Sequence, residues 1–223
     1  MNIVRSRPLL LGHRGARSVR SLRENTITSF DRALADGCDG FEFDVRRTAD
    51  GEALVWHDPE CDGKYIEETS ADQLPHLARL ADVIARYQSS AFLDIELKVA
   101  GLEKITADLL RRFPVSQGVV VSSFIPQILE AAHVENPEIP LGLICEHKAG
   151  LSHWQHLPIE YVIAHHDLLE QLDRAGIEQL KAAGKKVMVW TVNDAAGMSR
   201  FRQMGIDGII SDKTSLLCQT LKA

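Results

Sequence analysis

Residues 40–46 read Gly-Phe-Glu-Phe-Asp-Val-Arg, a run in which apolar and acidic side chains alternate. Because successive side chains of a strand point to opposite faces, Glu42 and Asp44 share one face and the apolar side chains share the other. Two neighbouring carboxylates on a buried face are costly unless a cation lies between them. The run therefore predicts a strand whose apolar face packs outward and whose acidic face points into a barrel.

Residues 92–98, Phe-Leu-Asp-Ile-Glu-Leu-Lys, repeat this alternation and place Asp94, Glu96 and Lys98 on one face. Glu96 is near the strand end and suits a third oxygen ligand, whereas Asp94 lies deeper and is expected to pair with Lys98 or an arginine. Carboxylate oxygens without histidine or cysteine partners favour a hard ion over zinc. The sequence thus predicts one divalent cation, Mg²⁺ or Ca²⁺, with three ligands: Glu42, Asp44 and Glu96.

Strand-like and helical segments alternate along the whole chain, which is typical of βαβ units and a parallel sheet. Eight strands are predicted near Leu9–His13, Gly40–Arg46, Ala91–Leu97, Gly118–Ser123, Leu141–Cys145, Tyr161–His165, Lys186–Val192 and Gly208–Ser211. Helices are predicted near Thr26–Asp36, Leu77–Gln88, Leu102–Phe113, Pro126–Glu135, Leu168–Ala183 and Ala195–Met204. Eight units predict an α/β fold: one (β/α)8 TIM barrel over residues 1–223, with a short inserted loop, Asp58–Ala71, after the second-strand hairpin.

Composition excludes several other classes of protein. With 223 residues, 45% hydrophobic and 25% charged, the chain has the profile of an ordinary globular domain. Its net charge of -6 argues against broad nucleic-acid binding, and no apolar run approaches the roughly 20 residues of a membrane span. The apolar run within Met1–Leu11 is too short for a signal peptide, and the four cysteines are scattered. We therefore expect a cytoplasmic protein with reduced thiols.

Two histidines are predicted to reach the acidic face of the barrel. Strand one ends in His13-Arg14, and arginine is suited to phosphate oxygens. Asp50-Gly51 indicates a two-residue hairpin, whose register would set His57 beside Asp44. Phosphodiester hydrolysis needs a metal, cationic groups and an acid–base pair. The carboxylates can hold the metal, Arg14 and Lys98 are cationic, and the two histidines can act as the acid–base pair. Nucleotide-binding fingerprints such as GxGxxG after a strand, or GxxxxGK[ST], are absent from the sequence.

The ordered motifs resemble the signature of glycerophosphodiester phosphodiesterases from about residue 9 to residue 214: His13-Arg14-Gly15, Glu24-Asn25-Thr26, Glu42-x-Asp44, His57-Asp58, Glu96-x-Lys98, Ser122-Ser123-Phe124, 189–193 and 205–212. The resemblance implies hydrolysis of a small-molecule glycerophosphodiester to glycerol 3-phosphate and an alcohol. It implies that His13 and His57 share acid and base duties and that the three carboxylates hold the ion. Arg14 and Lys98 would contact phosphate, and Trp190 would line the substrate pocket.

Two alternatives remain open from the sequence. A phospholipase D-like relative with the same barrel would act on a lysolipid and give a cyclic phosphate, but such secreted relatives depend on disulfides and an export signal. A non-catalytic, metal-binding barrel is the other alternative. The presence of both histidines and all three carboxylates argues against it, because such a loss of function usually removes a catalytic group.

Overall fold

The computed structural model of the protein describes residues 7–222, apart from the side chain at position 173. Met1–Ser6 and Ala223, which the single-domain prediction includes, lie outside the described residues. The strands are β1 Leu9–His13, β2 Gly40–Arg47, β3 Ala53–Val55, β4 Glu60–Cys61, β5 Lys64–Tyr65, β6 Phe92–Leu97, β7 Val119–Ser123, β8 Leu141–Cys145, β9 Tyr161–His165, β10 Lys186–Trp190 and β11 Gly208–Ser211. The α-helices are α1 Ile27–Ala35, α2 Leu80–Tyr87, α3 Glu103–Arg112, α4 Pro126–Glu135, α5 Lys148–Leu151, α6 His166–Ala182, α7 Ala195–Gln203 and α8 Thr214–Lys222.

Eight parallel strands close on themselves within residues 7–222. Their order is β1-β11-β10-β9-β8-β7-β6-β2, and β1 also pairs with β2, with His13 opposite Glu42. On its other side β1 pairs with β11, so that Gly12 lies opposite Ser211. The predicted (β/α)8 barrel is therefore confirmed. Closure brings the first and last strands together, which places residues near 13 and near 212 at one site.

The barrel interior changes from apolar to polar along the strands. An apolar cluster fills its amino-terminal and middle parts with Leu9, Leu11, Phe92, Val120, Ile144, Tyr161, Ile163, Met188 and Ile210. Closer to the carboxyl ends, inward positions carry His13 on β1, Asp44 on β2 and Glu96 on β6, all buried. Side chains two residues apart share a face of a strand. Along the inward face, the apolar side chains therefore give way to polar ones toward the carboxyl ends. Catalytic groups of such barrels lie at that end.

The helical layer packs on the outward face of the strands. The α1 helix begins after Thr26, whose Oγ1 accepts a hydrogen bond from the Ser29 amide, an ordinary N-cap. Its Phe30 stacks on Phe41 of β2 with ring centroids 4.2 Å apart, and both rings are fully buried. Burial of each ring stabilises the fold by roughly 2–3 kcal/mol. The outward face predicted for Phe41 is thus the one that holds α1 against the sheet.

Predicted and observed elements agree closely, but the short α5 helix was not predicted and the boundaries of several elements differ. The strand predicted to reach Val192 ends at Trp190, and the helix predicted from Leu77 begins at Leu80 because Leu77 packs into a separate small cluster. The α8 helix, which covers one side of β1, was not predicted. Among the described residues, no helix has the length and apolar character needed to cross a membrane.

The predicted register of the β2–β3 hairpin is wrong by one residue. Val45 lies opposite Val55, and the amide of Trp56, rather than that of His57, donates to the carbonyl of Asp44. The connection has three residues, because the amide of Thr48 bonds the carbonyl of Glu52 and Gly51 adopts a positive φ of 85°. A three-residue loop with glycine in the left-handed region competes with the two-residue turn that Asp-Gly suggests.

The inserted loop after β3 is a folded segment. It contains the β4–β5 hairpin and two short 3₁₀ turns, Ile66–Glu68 and Ala71–Gln73. Its buried side chains Cys61, Ile66 and Ala71 form a separate apolar cluster with Leu54 of β3 and with Leu74 and Leu77, which follow the loop, and Trp56 packs against this cluster. The insertion therefore has its own small core directly after His57.

Candidate active site

A cleft of about 260 Å³ opens at the carboxyl ends of the barrel strands. It is lined by His13, Arg14, Glu42, His57, Asp94, Glu96, Lys98, Phe124, Ile144, Glu146, Ile163, Trp190 and Ile210. Seven of the eight predicted site residues are in this lining. The eighth, Asp44, is fully buried against Arg14 and Lys98, so the structure brings the entire predicted set together.

His13 is held by an acid from the opposite end of the sequence. Its Nδ1 lies 2.7 Å from Oδ1 of Asp212, and its Nε2 lies 3.8 Å from Oε2 of Glu42. Burial by itself raises the pKa of Asp212, but the hydrogen bond with His13, its charge and a hydrogen bond from Asn193 lower that pKa to about 2. An ionised Asp212 therefore fixes the Nδ1–H tautomer and leaves Nε2 facing the cleft.

Arg14 is placed by an unusual backbone conformation. Its φ is +51°, and its amide donates a 3.0 Å hydrogen bond to Oε2 of Glu42. Its guanidinium lies 2.8 Å from Glu24 and 3.1 Å from Oδ2 of Asp44. Asn25, also at positive φ, donates through Nδ2 to the same oxygen of Asp44 over 2.8 Å. Left-handed conformations of non-glycine residues are strained and concentrate at functional sites.

Three buried carboxylates converge next to this loop. Oxygens of Glu42, Asp44 and Glu96 lie within 4.8 Å of one another. Burial, reinforced by Asp44 and Glu96, raises the pKa of Glu42 well above its ordinary value, and burial raises the pKa of Glu96 to about 8. Burial also acts to raise the pKa of Asp44, but Arg14 and Lys98 hold it below its ordinary value. The cluster carries more negative charge than its protein neighbours neutralise.

Lys98 and Asp94 differ from the predicted pairing. The Lys98 ammonium lies 2.7 Å from Glu96 and 3.4 Å from Asp44, whereas Asp94 accepts a 2.6 Å hydrogen bond from Ser122. The prediction that Asp94 pairs with a cation is therefore wrong. Lys98 lies beyond the strand end, where its chain reaches Glu96 more readily than the deeper Asp94. Burial raises the pKa of Asp94 to about 7.

His57 and Trp190 are both part of the cleft wall. His57 places Nδ1 2.7 Å from Oδ1 of Asp58, and its side chain is 33% exposed. Burial lowers the pKa of His57, and the charge of Asp44 and the hydrogen bond with Asp58 oppose that shift. Trp190 packs edge to face on Phe124, with centroids 5.6 Å apart, and its indole N–H donates to the Ile163 carbonyl. The cleft thus has one charged wall and one aromatic wall.

Comparison with known families decides the relationship of this chain. A model of the glycerophosphoryl diester phosphodiesterase family matches residues 13–83 and 94–216, which include every predicted site residue. The chain belongs to this family. A curated relative from Caldanaerobacter subterraneus, a glycerophosphodiester phosphodiesterase, is 26% identical over 243 residues, with 96% of this chain and 98% of the relative covered.

Solved structures of this phosphodiesterase family share the barrel. A glycerophosphodiester phosphodiesterase from Parabacteroides distasonis is 23% identical with a TM-score of 0.86, and 96% of each chain is covered. A phosphodiesterase from Oleispira antarctica, solved in complex with the product sn-glycerol-3-phosphate, is 25% identical with a TM-score of 0.83 and the same coverage. The fold prediction and the family resemblance are both confirmed.

Two site residues of this family member received no predicted role. Asp212 follows β11 and Asn25 precedes α1, yet they contact His13 and Asp44 respectively. Both are polar residues immediately outside an element at the catalytic end of the barrel, and Asp212 stood within the family-like run 205–212. That position was the available signal. The partner of each could be named only once the barrel was closed.

Proposed function

We propose that the chain hydrolyses glycerophosphodiesters to glycerol 3-phosphate and an alcohol, with one divalent cation and with His13 and His57 sharing acid and base duties. We assign residues 1–223 to a single catalytic domain and the protein to the cytoplasm. The observation that carries the proposal is the position of His13 beside an acidic cluster that holds unpartnered oxygens.

The acidic cluster suits a hard divalent ion. Glu42 Oε1 and Asp44 Oδ1 are buried and have no hydrogen-bond partner, although buried polar atoms are normally paired. Together with Glu96 they would supply the oxygen donors that Mg²⁺ and Ca²⁺ prefer. Such an ion, when bound, polarises a phosphoryl oxygen and offsets developing charge. Burial and the neighbouring carboxylates raise the pKa values of Glu42 and Glu96, and a bound divalent cation would favour the ionised form of both.

Arg14 and Lys98 complete the charge balance for an anionic substrate. Three ionised carboxylates and a divalent cation leave about one negative charge, which the two basic side chains more than offset. Arg14 is 12% exposed and Lys98 is 14% exposed at their side chains, so each can turn a donor toward the cleft while remaining anchored on Asp44. We assign both to the phosphate oxygens of the substrate.

The two histidines receive different support from their neighbours. Asp212 would hold a proton on Nδ1 of His13 and orient the ring, so that Nε2 can exchange a proton with the substrate. The lowered pKa of His57 favours its neutral form near neutral pH, with Nδ1 directed at Asp58. A neutral imidazole can accept a proton, and an imidazole that has taken up a proton can donate it. Their common position on the cleft wall supports the shared acid–base assignment.

The size of the cleft supports a small diester. Its volume of about 260 Å³ is at the lower end of small-molecule sites and too small for a complete phospholipid. Trp190 and Phe124, with Ile144, Ile163 and Ile210, offer an apolar wall to the carbon skeleton of the substrate. The glycerol 3-phosphate bound by the relative from Oleispira antarctica supports the same product here.

The deciding experiment measures glycerol 3-phosphate release from glycerophosphocholine, glycerophosphoethanolamine and a lysolipid. The protein is first treated with EDTA, and Mg²⁺ or Ca²⁺ is then restored separately. We expect release from a glycerophosphodiester only after metal is restored. A cyclic phosphate from the lysolipid would favour the phospholipase D-like alternative, and metal binding without any turnover would favour the non-catalytic one.

Two variants separate catalysis from metal binding. His57→Ala is expected to abolish turnover with metal affinity nearly unchanged, whereas Glu96→Ala mainly weakens metal binding, by about tenfold or more. His133→Ala and Glu130→Ala, both on α4 outside the cleft lining, are the matched controls. Wild-type activity in His57→Ala or Glu96→Ala would contradict the assignment.

A further inference from the structure

A second group of metal-ligating side chains lies in the insertion after β3. His76 Nε2 is 3.5 Å from Cys61 Sγ and 3.3 Å from Oδ2 of Asp62. Ligand atoms of all three residues lie within 4.8 Å of one another. None of them is in the lining of the cleft, and the proposed phosphodiesterase reaction uses none of them.

These distances match the edges of a tetrahedral zinc site. Bonds of about 2.3 Å to sulfur and about 2.0–2.1 Å to nitrogen or oxygen, at tetrahedral angles, separate nitrogen from sulfur by about 3.6 Å and nitrogen from oxygen by about 3.4 Å. The observed separations are 3.5 Å and 3.3 Å. Two edges of a zinc tetrahedron are therefore already present to within about 0.1 Å, and the sulfur–oxygen edge is no longer than 4.8 Å.

We propose that Cys61, Asp62 and His76 form a zinc site distinct from the carboxylate cluster. Zn²⁺ would replace the thiol proton of Cys61, giving a Zn–S bond and releasing one H⁺, while neutral His76 and ionised Asp62 bind through lone pairs. Three protein ligands leave the fourth position to water or to an exogenous donor. Thiolate and imidazole select zinc over Mg²⁺ and Ca²⁺, so the two sites take different ions.

The surroundings of the trio suit such an ion. Cys61 belongs to the apolar cluster of the insertion and is only 2% exposed. Asp62 and His76 are open to solvent, which provides an entry path for the ion. Arg23 points Nη2 at Cys61 Sγ over 3.8 Å and lies 4.2 Å above the ring of Trp56. Burial and the charge of Asp62 raise the pKa of the Cys61 thiol and Arg23 opposes that shift, so the zinc ion itself would displace the thiol proton.

Zinc would join the two ends of the insertion. Cys61 belongs to β4, and His76 follows the second 3₁₀ turn just before α2, so one ion would link the hairpin to the returning chain. The same segment begins directly after His57 and Asp58. The site would therefore stiffen the support of one wall of the cleft without contributing a group to it.

The test is zinc binding to the full chain, treated with EDTA and then saturated with Mg²⁺ so that the carboxylate cluster is occupied. We expect one Zn²⁺ per chain, and with Co²⁺ a thiolate-to-metal charge-transfer band. Cys61→Ser should remove that band. Both Cys61→Ser and His76→Ala should lower the affinity for zinc by at least about tenfold. His76 has a 39% exposed side chain, so its replacement tests the site without disturbing a core.

The controls exclude the Cys38–Cys218 pair and the unfolded chain. Cys38→Ser removes one member of the buried Cys38–Cys218 pair, whose sulfurs are 3.8 Å apart, and should leave zinc binding unchanged. Each variant must show the wild-type circular dichroism in EDTA. The proposal is overturned if the wild type takes no zinc in excess Mg²⁺, if Cys61→Ser and His76→Ala retain it, or if Cys38→Ser alone loses it.

Discussion

The replacement Asp212→Asn tests how the barrel positions His13. Asp212 Oδ1 lies 2.7 Å from His13 Nδ1, and Asp212 Oδ2 accepts a 2.6 Å hydrogen bond from Asn193. In the variant, the side-chain oxygen of the new asparagine would still accept the hydrogen bond from Asn193. This arrangement turns the NH₂ group of the new asparagine toward His13. Nδ1 must then accept and Nε2 carries the proton, which is the reverse of the wild-type tautomer.

Two magnitudes follow from this geometry. A histidine held in the wrong tautomer loses acid–base function, and we expect kcat to fall by about 10²–10⁴ with KM nearly unchanged. The pKa of Asp212 falls from 3.8 to about 2, and each pKa unit is equivalent to about 1.4 kcal/mol. The carboxylate therefore contributes about 2 kcal/mol to the free energy of unfolding.

The sign of the pH dependence follows from the lowered pKa. Stability from Asp212 is fully present above its unfolded pKa of 3.8 and is lost as the pH falls toward about 2. Asp212→Asn should therefore unfold in less urea at pH 7, and the difference from wild type should shrink as the pH approaches 2. Both unfolding curves are measured in EDTA so that metal binding does not contribute.

The assay is steady-state release of glycerol 3-phosphate from the best diester, with metal at saturation. Arg17→Ala is the control, because Arg17 lies 3.5 Å from Asp212 but its side chain is 42% exposed, and its loss should change kcat by less than about threefold. A folded Asp212→Asn protein with kcat within threefold of wild type would refute the positioning role.

Three further predictions concern the core and the cleft. Burial raises the pKa of Asp94 to about 7, so without metal the wild type should lose stability as the pH rises from 4 to 7. Asp94→Asn should remove the share of this loss that comes from Asp94, about 3 kcal/mol between pH 5 and pH 8 in urea unfolding. Gly12→Ala sets a Cβ 2.4 Å from the Gly15 carbonyl oxygen, and thermal unfolding should show a loss of about 3 kcal/mol or more. Trp190→Ala should raise KM about tenfold through lost contact with the substrate, and an unchanged KM would disprove that contact.

Local rules predicted most of the fold because the barrel repeats one simple unit. Alternation of side chains along residues 41–45 correctly separated the face that packs on α1 from the face that enters the barrel. The predicted hairpin register was wrong because Asp50-Gly51 is compatible with more than one loop length. The chain adopts the longer loop, whose backbone also hydrogen-bonds to the turns that follow. His57 still lines the cleft, since the chain leaves β3 at Val55, directly beside Asp44.

The sequence by itself determined which chemical groups end each strand, because the two-residue period of a strand is a local property that can be counted along the chain. It could not determine the partner of each group. Asp212 and His13 are 199 residues apart, and Asn25 meets Asp44 across a loop and a helix. Only closure of the barrel, with β1 between β2 and β11, brings these side chains within hydrogen-bond distance, because contacts between distant residues depend on how the strands assemble in space.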